Sequence, residues 1–297
     1  MSRILTGEVP KTEFLDELDE LRVVMLSYPD PGMTKKVIIN VCYGYDKPNI
    51  YDSLTESERD KAIQDVINEG TLPKALEMIG KFVFLVENIS LTVTHCLVRH
   101  RFFTILQSST GVSDLRNENF VMPRSFNKNK YFYSKVKKWY LEGKELFVEG
   151  VDKQGLSVQN ARLFLPKNNC NHMFIGFDLK AFKDAYAQRV DSQEEIIQNN
   201  IIFLKMRDLI IEKFPHLKSM FKSACETGQC LHSKQGKHAN VVFKRDELHK
   251  KFLPKDYKLE DETLHDSTRD EMNKGNKIIT EKYIGLRNIN QSELKCQ

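Results

Sequence analysis

Nowhere in the sequence does an uninterrupted apolar run approach the ~20 residues needed to cross a bilayer, so no membrane partner is expected. The first residues carry Glu8, Glu13 and Asp16 instead of a basic flank and an apolar block, which argues against a signal peptide. Cysteines are few. Cys42, Cys96, Cys170, Cys225, Cys230 and Cys296 lack the density and spacing of a secreted disulfide framework, and reduced thiols in a cytoplasmic protein are the simpler reading. The spacing of Cys225, Cys230 and His232 is poor for a closed tetrahedral site and offers no fourth ligand, so no metal is expected. There is no Gly-rich phosphate loop and no dinucleotide fingerprint, so a dinucleotide would need a mode other than the Rossmann turn. A large excess of either charge sign is also lacking. With 45 basic and 41 acidic residues among 297, the net charge of +4 does not argue for a nucleic-acid surface, while a small anionic ligand stays compatible.

What is present is a globular composition, 40% hydrophobic, sufficient for one large domain or a core domain with an appendage. Beyond Ser233 the residues become alternating Lys, Asp, Glu, Asn and Thr, which predicts a core domain over 1–232 and a charged extension over 233–297. Leu21 to Tyr28 read as a strand broken at Pro29-Asp30-Pro31-Gly32, with a short helix over Lys35 to Tyr43. Thr55-Glu56-Ser57-Glu58 is a capping box that opens a helix carrying Ala62, Val66 and Ile67 and stopped by Gly70. Lys81 to Val86 fit a strand, and Ile89, Val93, Cys96 and Leu97 recur at helical spacing up to Arg99. Lys128 to Val148, rich in Lys and Tyr, read as an exposed hairpin or helix pair. Two helices are expected over Asp178 to Arg189 and Gln193 to Phe214, the second a core helix ended by Pro215.

Two features carry chemistry. Arg99-His100-Arg101 is followed by Phe102 and Phe103 and then by Gln107-Ser108-Ser109-Thr110-Gly111. Two guanidiniums beside an imidazole offer many fixed donors, suited to a phosphate or an electron-rich ring, and the hydroxyl run with Gly111 lets backbone N–H groups approach an anion. The bland reading is a solvated basic surface, which the apolar flanks make harder to expose. On the helix after Asp178, Leu179, Phe182 and Tyr186 form an apolar stripe with Arg189 at its margin. An arginine so placed snorkels, pairs with an acid such as Asp178, or holds a ligand.

These residues resemble the flavin-dependent thymidylate synthases, a family with an Arg-His-Arg triplet separated by seven residues from a serine, the spacing of Arg101 and Ser109. Thr94-His95-Cys96-Leu97-Val98 is similar to the family's approach to the triplet, with Cys96 where glutamine is usual. Leu21 to Tyr43 resembles its first strand and the Cys-Tyr after it, Leu76-Glu77 its Leu-Glu-His, and Phe120 to Pro123 the segment closing the motif loop. Ala161-Arg162-Leu163-Phe164-Leu165-Pro166 looks like its Ala-Arg-x-x-Leu-Pro, and Arg189-Val190-Asp191-Ser192 like its Arg-x-Asp-Ser. The order and spacing of these blocks, over roughly residues 20 to 225, carries the resemblance.

An α+β fold with a central, mostly antiparallel sheet packed by helices is expected, and the resemblance implies a homotetramer with shared active sites. It implies FAD as cofactor, NADPH and methylenetetrahydrofolate as co-substrates, and dUMP methylated at C5 to dTMP. Arg189 and Ser109 take catalytic roles by resemblance, with Arg99, Arg162, Thr110 and Gly111 completing the nucleotide cradle. Arg99, His100, Arg101, Gln107, Asp178, Lys180 and Asp184 would hold the cofactor; Gln107 replaces a glutamate, and Asp178, Lys180 and Asp184 stand where the family prefers Asn, Arg and Asn. Val112 interrupts the family's Gly-Arg-Tyr, leaving Arg116 as the candidate substitute for its arginine, and Met78 replaces its histidine. Such departures keep open a variant one-carbon transfer, for example hydroxymethylation, or a nucleotide- or flavin-binding protein without catalysis.

Overall fold

Phe82, Phe84 and Val86 turn alternate side chains into the interior, and this period of two marks Phe82–Ser90 (β3) as an inner strand. The computed structural model describes residues 12–44, 49–69, 73–109, 115–124, 126, 130–190, 197–223 and 226–227. The expected boundary near Ser233, and the Cys225, Cys230 and His232 group, lie outside them.

The other strands are Phe14–Asp16 (β1), Arg22–Ser27 (β2), Thr104–Gln107 (β4), Phe120–Met122 (β5) and Cys170–Phe177 (β6). The main sheet runs β2-β3-β6-β4 with every neighbour antiparallel, while β1 and β5 pair in parallel as a separate ribbon. The helices are Pro31–Tyr43 (α1), Ile50–Ser53 (α2), Glu56–Glu69 (α3), Pro73–Met78 (α4), Leu91–Leu97 (α5), Lys130–Asp152 (α6), Val158–Ala161 (α7), Leu179–Arg189 (α8) and Ile197–Lys213 (α9). The architecture is the expected α+β one with an antiparallel sheet.

Helix α1 begins four residues before the predicted start. Asp30 accepts from the Met33 N–H at 2.7 Å and Pro31 occupies the first turn, where its missing N–H is no loss, so the apparent breaker is a helix start. The capping box forms in both directions: Thr55 N–H donates to Glu58 at 2.7 Å and Glu58 N–H to Thr55 Oγ1 at 3.4 Å. Gly70 is outside the described residues. The expected helix from Ile89 instead starts at Leu91, because Ile89 and Ser90 still pair with Asn171 and Cys170 of β6. The expected hairpin or helix pair over Lys128 to Val148 is corrected to one long helix, α6. Its buried face runs Tyr140, Gly143, Lys144, Phe147 and Gly150, so two glycines and a lysine obscure the apolar period. Lys144 is satisfied there by Thr12 Oγ1 at 2.7 Å and the Glu118 carbonyl at 2.9 Å.

Helix α9 is apolar on nearly every side and is buried at Ile201, Ile202, Phe203, Leu204, Met206 and Ile210, the core helix expected from sequence. Phe203 packs with Phe182 and Phe103, and Phe177 with Phe82, Phe84 and Phe182, so an aromatic cluster joins α8, α9 and the sheet. At the other end of β3, Asn88 adopts φ +60° where the ladder to β6 shifts register between Val86 and Ile89. Gln198 of α9, itself buried, holds this kink: its carboxamide donates to the Asn88 and Glu17 carbonyls, each at 2.9 Å, and accepts from Ser90 N–H at 3.1 Å. Gln198→Leu leaves those three main-chain groups unpaired and is expected to lower unfolding stability by about 3–5 kcal/mol, read as a lower denaturant midpoint at unchanged slope.

Beside this knot, Arg124 lies in a buried acidic nest. Its guanidinium reaches Asp16 at 3.0 Å and Asp19 at 2.6 Å, and the Arg124 main-chain N–H donates to Glu17 Oε1 at 2.8 Å. Burial raises Glu17 to about 7 and Asp19 to about 6, with Asp16 adding to both and Arg124 opposing. In the folded chain Glu17 therefore keeps a proton that the unfolded chain releases near the usual 4.5. The stability contributed by Glu17 is therefore full below about 4.5 and is lost as pH rises through about 7. Glu17→Gln keeps the acceptor oxygen without the ionisation, so melting curves should show it more stable than the parent at pH 8, with the difference gone by pH 4.5.

Candidate active site

The two basic blocks found in sequence are carried to neighbouring places by one short helix. Ser90 caps α5 by accepting from Val93 N–H at 3.3 Å, and the remaining N–H groups of its first turn are met from the chain leading into β6: Leu91 donates to the Asn169 carbonyl and Thr92 to that of Lys167. The far end of α5 turns directly into Arg99-His100-Arg101. Thus the segment bearing Arg162 is fastened to one end of the helix whose other end carries the triplet.

Arg162 stands in a tight turn, Arg162–Phe164, that lies across α6. Gly143 makes that approach possible, because a Cβ there would sit 2.7 Å from the Phe164 carbonyl oxygen. Arg162 and Gln107, the last residue of β4, line one pocket of about 320 Å³ together with His95 and Asn169. Its apolar walls include Leu91, Leu115, Leu165 and Pro166. Leu115 is held from behind by Phe147 and Ala161.

At the triplet, the three side chains divide. Arg99 and Arg101 are exposed, whereas the His100 ring packs on Phe103 and Phe203 at centroid distances of 5.0 and 5.7 Å. Arg189 Nε donates to His100 Nε2 at 3.3 Å, so that nitrogen carries a lone pair. Helix α8 brings Arg189 there by burying Leu179, Phe182 and Tyr186, and the Asn200 carboxamide grips the Arg189 carbonyl at 2.6 Å. Of the three fates open to Arg189, pairing with Asp178 is out of reach, since eleven residues of helix separate them by about 16 Å.

Asp178 instead caps α8, accepting from Ala181 N–H at 2.8 Å, and Lys180 pairs with Asp184 at 3.2 Å and Glu77 at 3.6 Å. Phe102 is 74% exposed, so the flank expected to keep the triplet inside does so only through Phe103. Ser109 is exposed; Thr110, Gly111, Val112, Asp191 and Ser192 are outside the described residues. Arg116 lies against Asp152 of α6 at 3.2 Å. Met78 is exposed and Cys96 half-buried. The structure therefore joins Arg189 to His100 and Arg162 to Gln107, and leaves Arg99 and Arg101 facing outward. His95 and Asn169, which the sequence reading passed over as site residues, line the same pocket as Arg162. Asn169 sits just three residues past the Leu-Pro of the Arg162 block, the one signal that pointed to it. Among the described residues no helix is long and apolar enough to cross a membrane, and no group of His, Cys, Asp and Glu is arranged to hold a metal ion.

Comparison with known proteins bears on this arrangement. The sequence model of the family described as "Thymidylate synthase complementing protein" matches residues 24–216. The chain is 26% identical over 177 residues to a flavin-dependent thymidylate synthase of Pyrococcus furiosus, covering 57% of this chain and 71% of that one. It is 25% identical over 213 residues to the enzyme of the same name from Nitratidesulfovibrio vulgaris, covering 66% and 86%. In fold it is similar to the crystal structure of a UMP/dUMP methylase PolB from Streptomyces cacaoi bound with 5-Br dUMP, with a TM-score of 0.60, 14% identity, and coverage of 70% of this chain and 96% of that one.

Proposed function

The chain belongs to the thymidylate synthase complementing protein family, and from that membership we propose that it is a flavin-dependent thymidylate synthase, methylating dUMP at C5 to dTMP. Methylenetetrahydrofolate supplies the carbon, and NADPH recharges the flavin. The observation that carries the reading is the pair of guanidinium stations at the two ends of α5: Arg162 in the pocket and Arg189 locked on His100.

The donor set fits a nucleotide beside a flavin. The pocket of about 320 Å³ is of a size for a nucleoside monophosphate. Exposed Arg99 and Arg101, with no Rossmann turn in the sequence, suit a cofactor held on the outer face of the triplet, against further copies of the chain in a cytoplasmic homotetramer. FAD bound there supplies the hydride that completes the methyl group.

The residues of this chain bind and polarise. Arg162 takes the phosphate, for which a planar fork of donors is better than a point charge. Arg189 faces the O2/N3 side of uracil, where its positive charge stabilises the electron density that makes C5 nucleophilic, with no covalent enzyme nucleophile. His100 fixes the Arg189 side chain by accepting its Nε–H and is itself wedged between Phe103 and Phe203. Gln107 and Ser109 border the nucleotide at the end of β4.

Purified protein is expected to be yellow, tetrameric by light scattering, and to release label from dUMP deuterated at C5 during turnover. Colourless protein that takes up no FAD, or a monomer, overturns the reading. Arg189→Ala should lower kcat at least about a hundredfold while the flavin stays bound, since it removes a charge needed mainly in the transition state; an active variant removes Arg189 from its role.

A further inference from the structure

The inward face of β6 reads, at every second position, Asn171, Met173, Ile175 and Phe177, with Asn169 just ahead in the same row. Met173, Ile175 and Phe177 are fully buried in the core, as such a row should be. The two asparagines that begin it are 2% and 6% exposed, and the Oδ1 atom of each is buried with no hydrogen-bond partner. Asn171 lies behind β4, its amide donating to the Ser108 carbonyl at 3.3 Å. Asn169 is the one that lines the pocket with Arg162.

Folding alone gives no reason for an amide at Asn169. Its main chain is satisfied, the N–H on the Pro166 carbonyl and the carbonyl on Leu91 N–H, both at 3.1 Å, and its Nδ2 makes one long contact of 3.4 Å to the Cys170 carbonyl. An unpaired buried carbonyl destabilises a fold, so its retention calls for a partner that arrives with a ligand.

We propose that Asn169 is a specificity-determining residue whose carboxamide oxygen accepts a hydrogen bond from the 3′-hydroxyl of the bound deoxynucleotide. This rests on the reading of the pocket as a dUMP site. A carboxamide oxygen only accepts, and the phosphate, O2 and O4 of dUMP offer no proton. Two donors remain, N3–H and the 3′-hydroxyl. In that reading the N3 edge belongs to Arg189 and the phosphate to Arg162, which lines the pocket with Asn169, so the sugar hydroxyl next to the phosphate is the donor assigned to Asn169.

The test is equilibrium titration of the full-length, FAD-loaded protein with dUMP and with 2′,3′-dideoxyuridine monophosphate, which lacks that hydroxyl. The parent should prefer dUMP by about tenfold, the value of one well-made hydrogen bond. Asn169→Leu should bind both nucleotides alike, at the affinity the parent shows for the dideoxy analogue. Should leucine prevent folding, Asn169→Ala removes the same oxygen and carries the same expectation. A variant that keeps the parent's preference, or a parent that binds dUMP without preferring it, overturns the role of Asn169 and leaves the proposed function standing. A parent that binds neither nucleotide overturns the proposed function itself.

Discussion

The buried carboxamide of Gln198 is the joint on which this fold turns. Its three hydrogen bonds fix where the long strand β3 stops and how the chain leaves it, by holding the carbonyls of Glu17 and Asn88 and the N–H of Ser90 at once. Ser90 is also the cap of α5, so the direction of that helix, and the position of the Arg-His-Arg turn at its end, follow from the same amide. The left-handed backbone at Asn88 is the strained residue of this arrangement, and a side chain able to hydrogen-bond locally, here to the Glu20 carbonyl at 2.9 Å, suits it. Core helix, strand end and site helix are thereby one mechanical unit.

Much of this was legible in the residues. The capping box at Thr55, the strand after Lys81, the stripe of Leu179, Phe182 and Tyr186, and the all-round apolarity of the helix ended by Pro215 each express a local rule that tertiary packing did not overrule. The misreadings had physical causes. Pro31 looked like a breaker because its role as a helix start depends on Asp30 accepting from Met33. The face of α6 was hidden because close approach of the Arg162 turn requires Gly143, and because the aliphatic stem of Lys144 is buried while its ammonium is satisfied from Thr12 and Glu118.

The site was legible in a different sense. The family resemblance singled out Arg99, His100, Arg101, Arg162 and Arg189 as candidates, but composition did not reveal that Arg189 would donate to His100, nor that Arg99 and Arg101 would face away from it. Those facts depend on Phe203, a residue more than a hundred positions along the chain, against which the imidazole rests. Asn169 was invisible for a related reason. An asparagine after Leu-Pro reads as turn chemistry, and only the burial of its unpaired carboxamide oxygen sets it apart.

The parallel ribbon of β1 and β5 has a consequence for the order in which the protein assembles. Phe14–Asp16 pairs with Phe120–Met122, and Arg124 reaches back to Asp16, so contacts more than a hundred residues apart must form together. Such distant pairing is entropically slow compared with the helical contacts elsewhere, and the main sheet shares it, with Phe82 paired to Phe177. Strand β1 is made before β5 and has no partner until the chain through Met122 has been made. The same stretch of chain that supplies β5 also supplies Arg124 to Asp16, so the ribbon and the acidic nest close together.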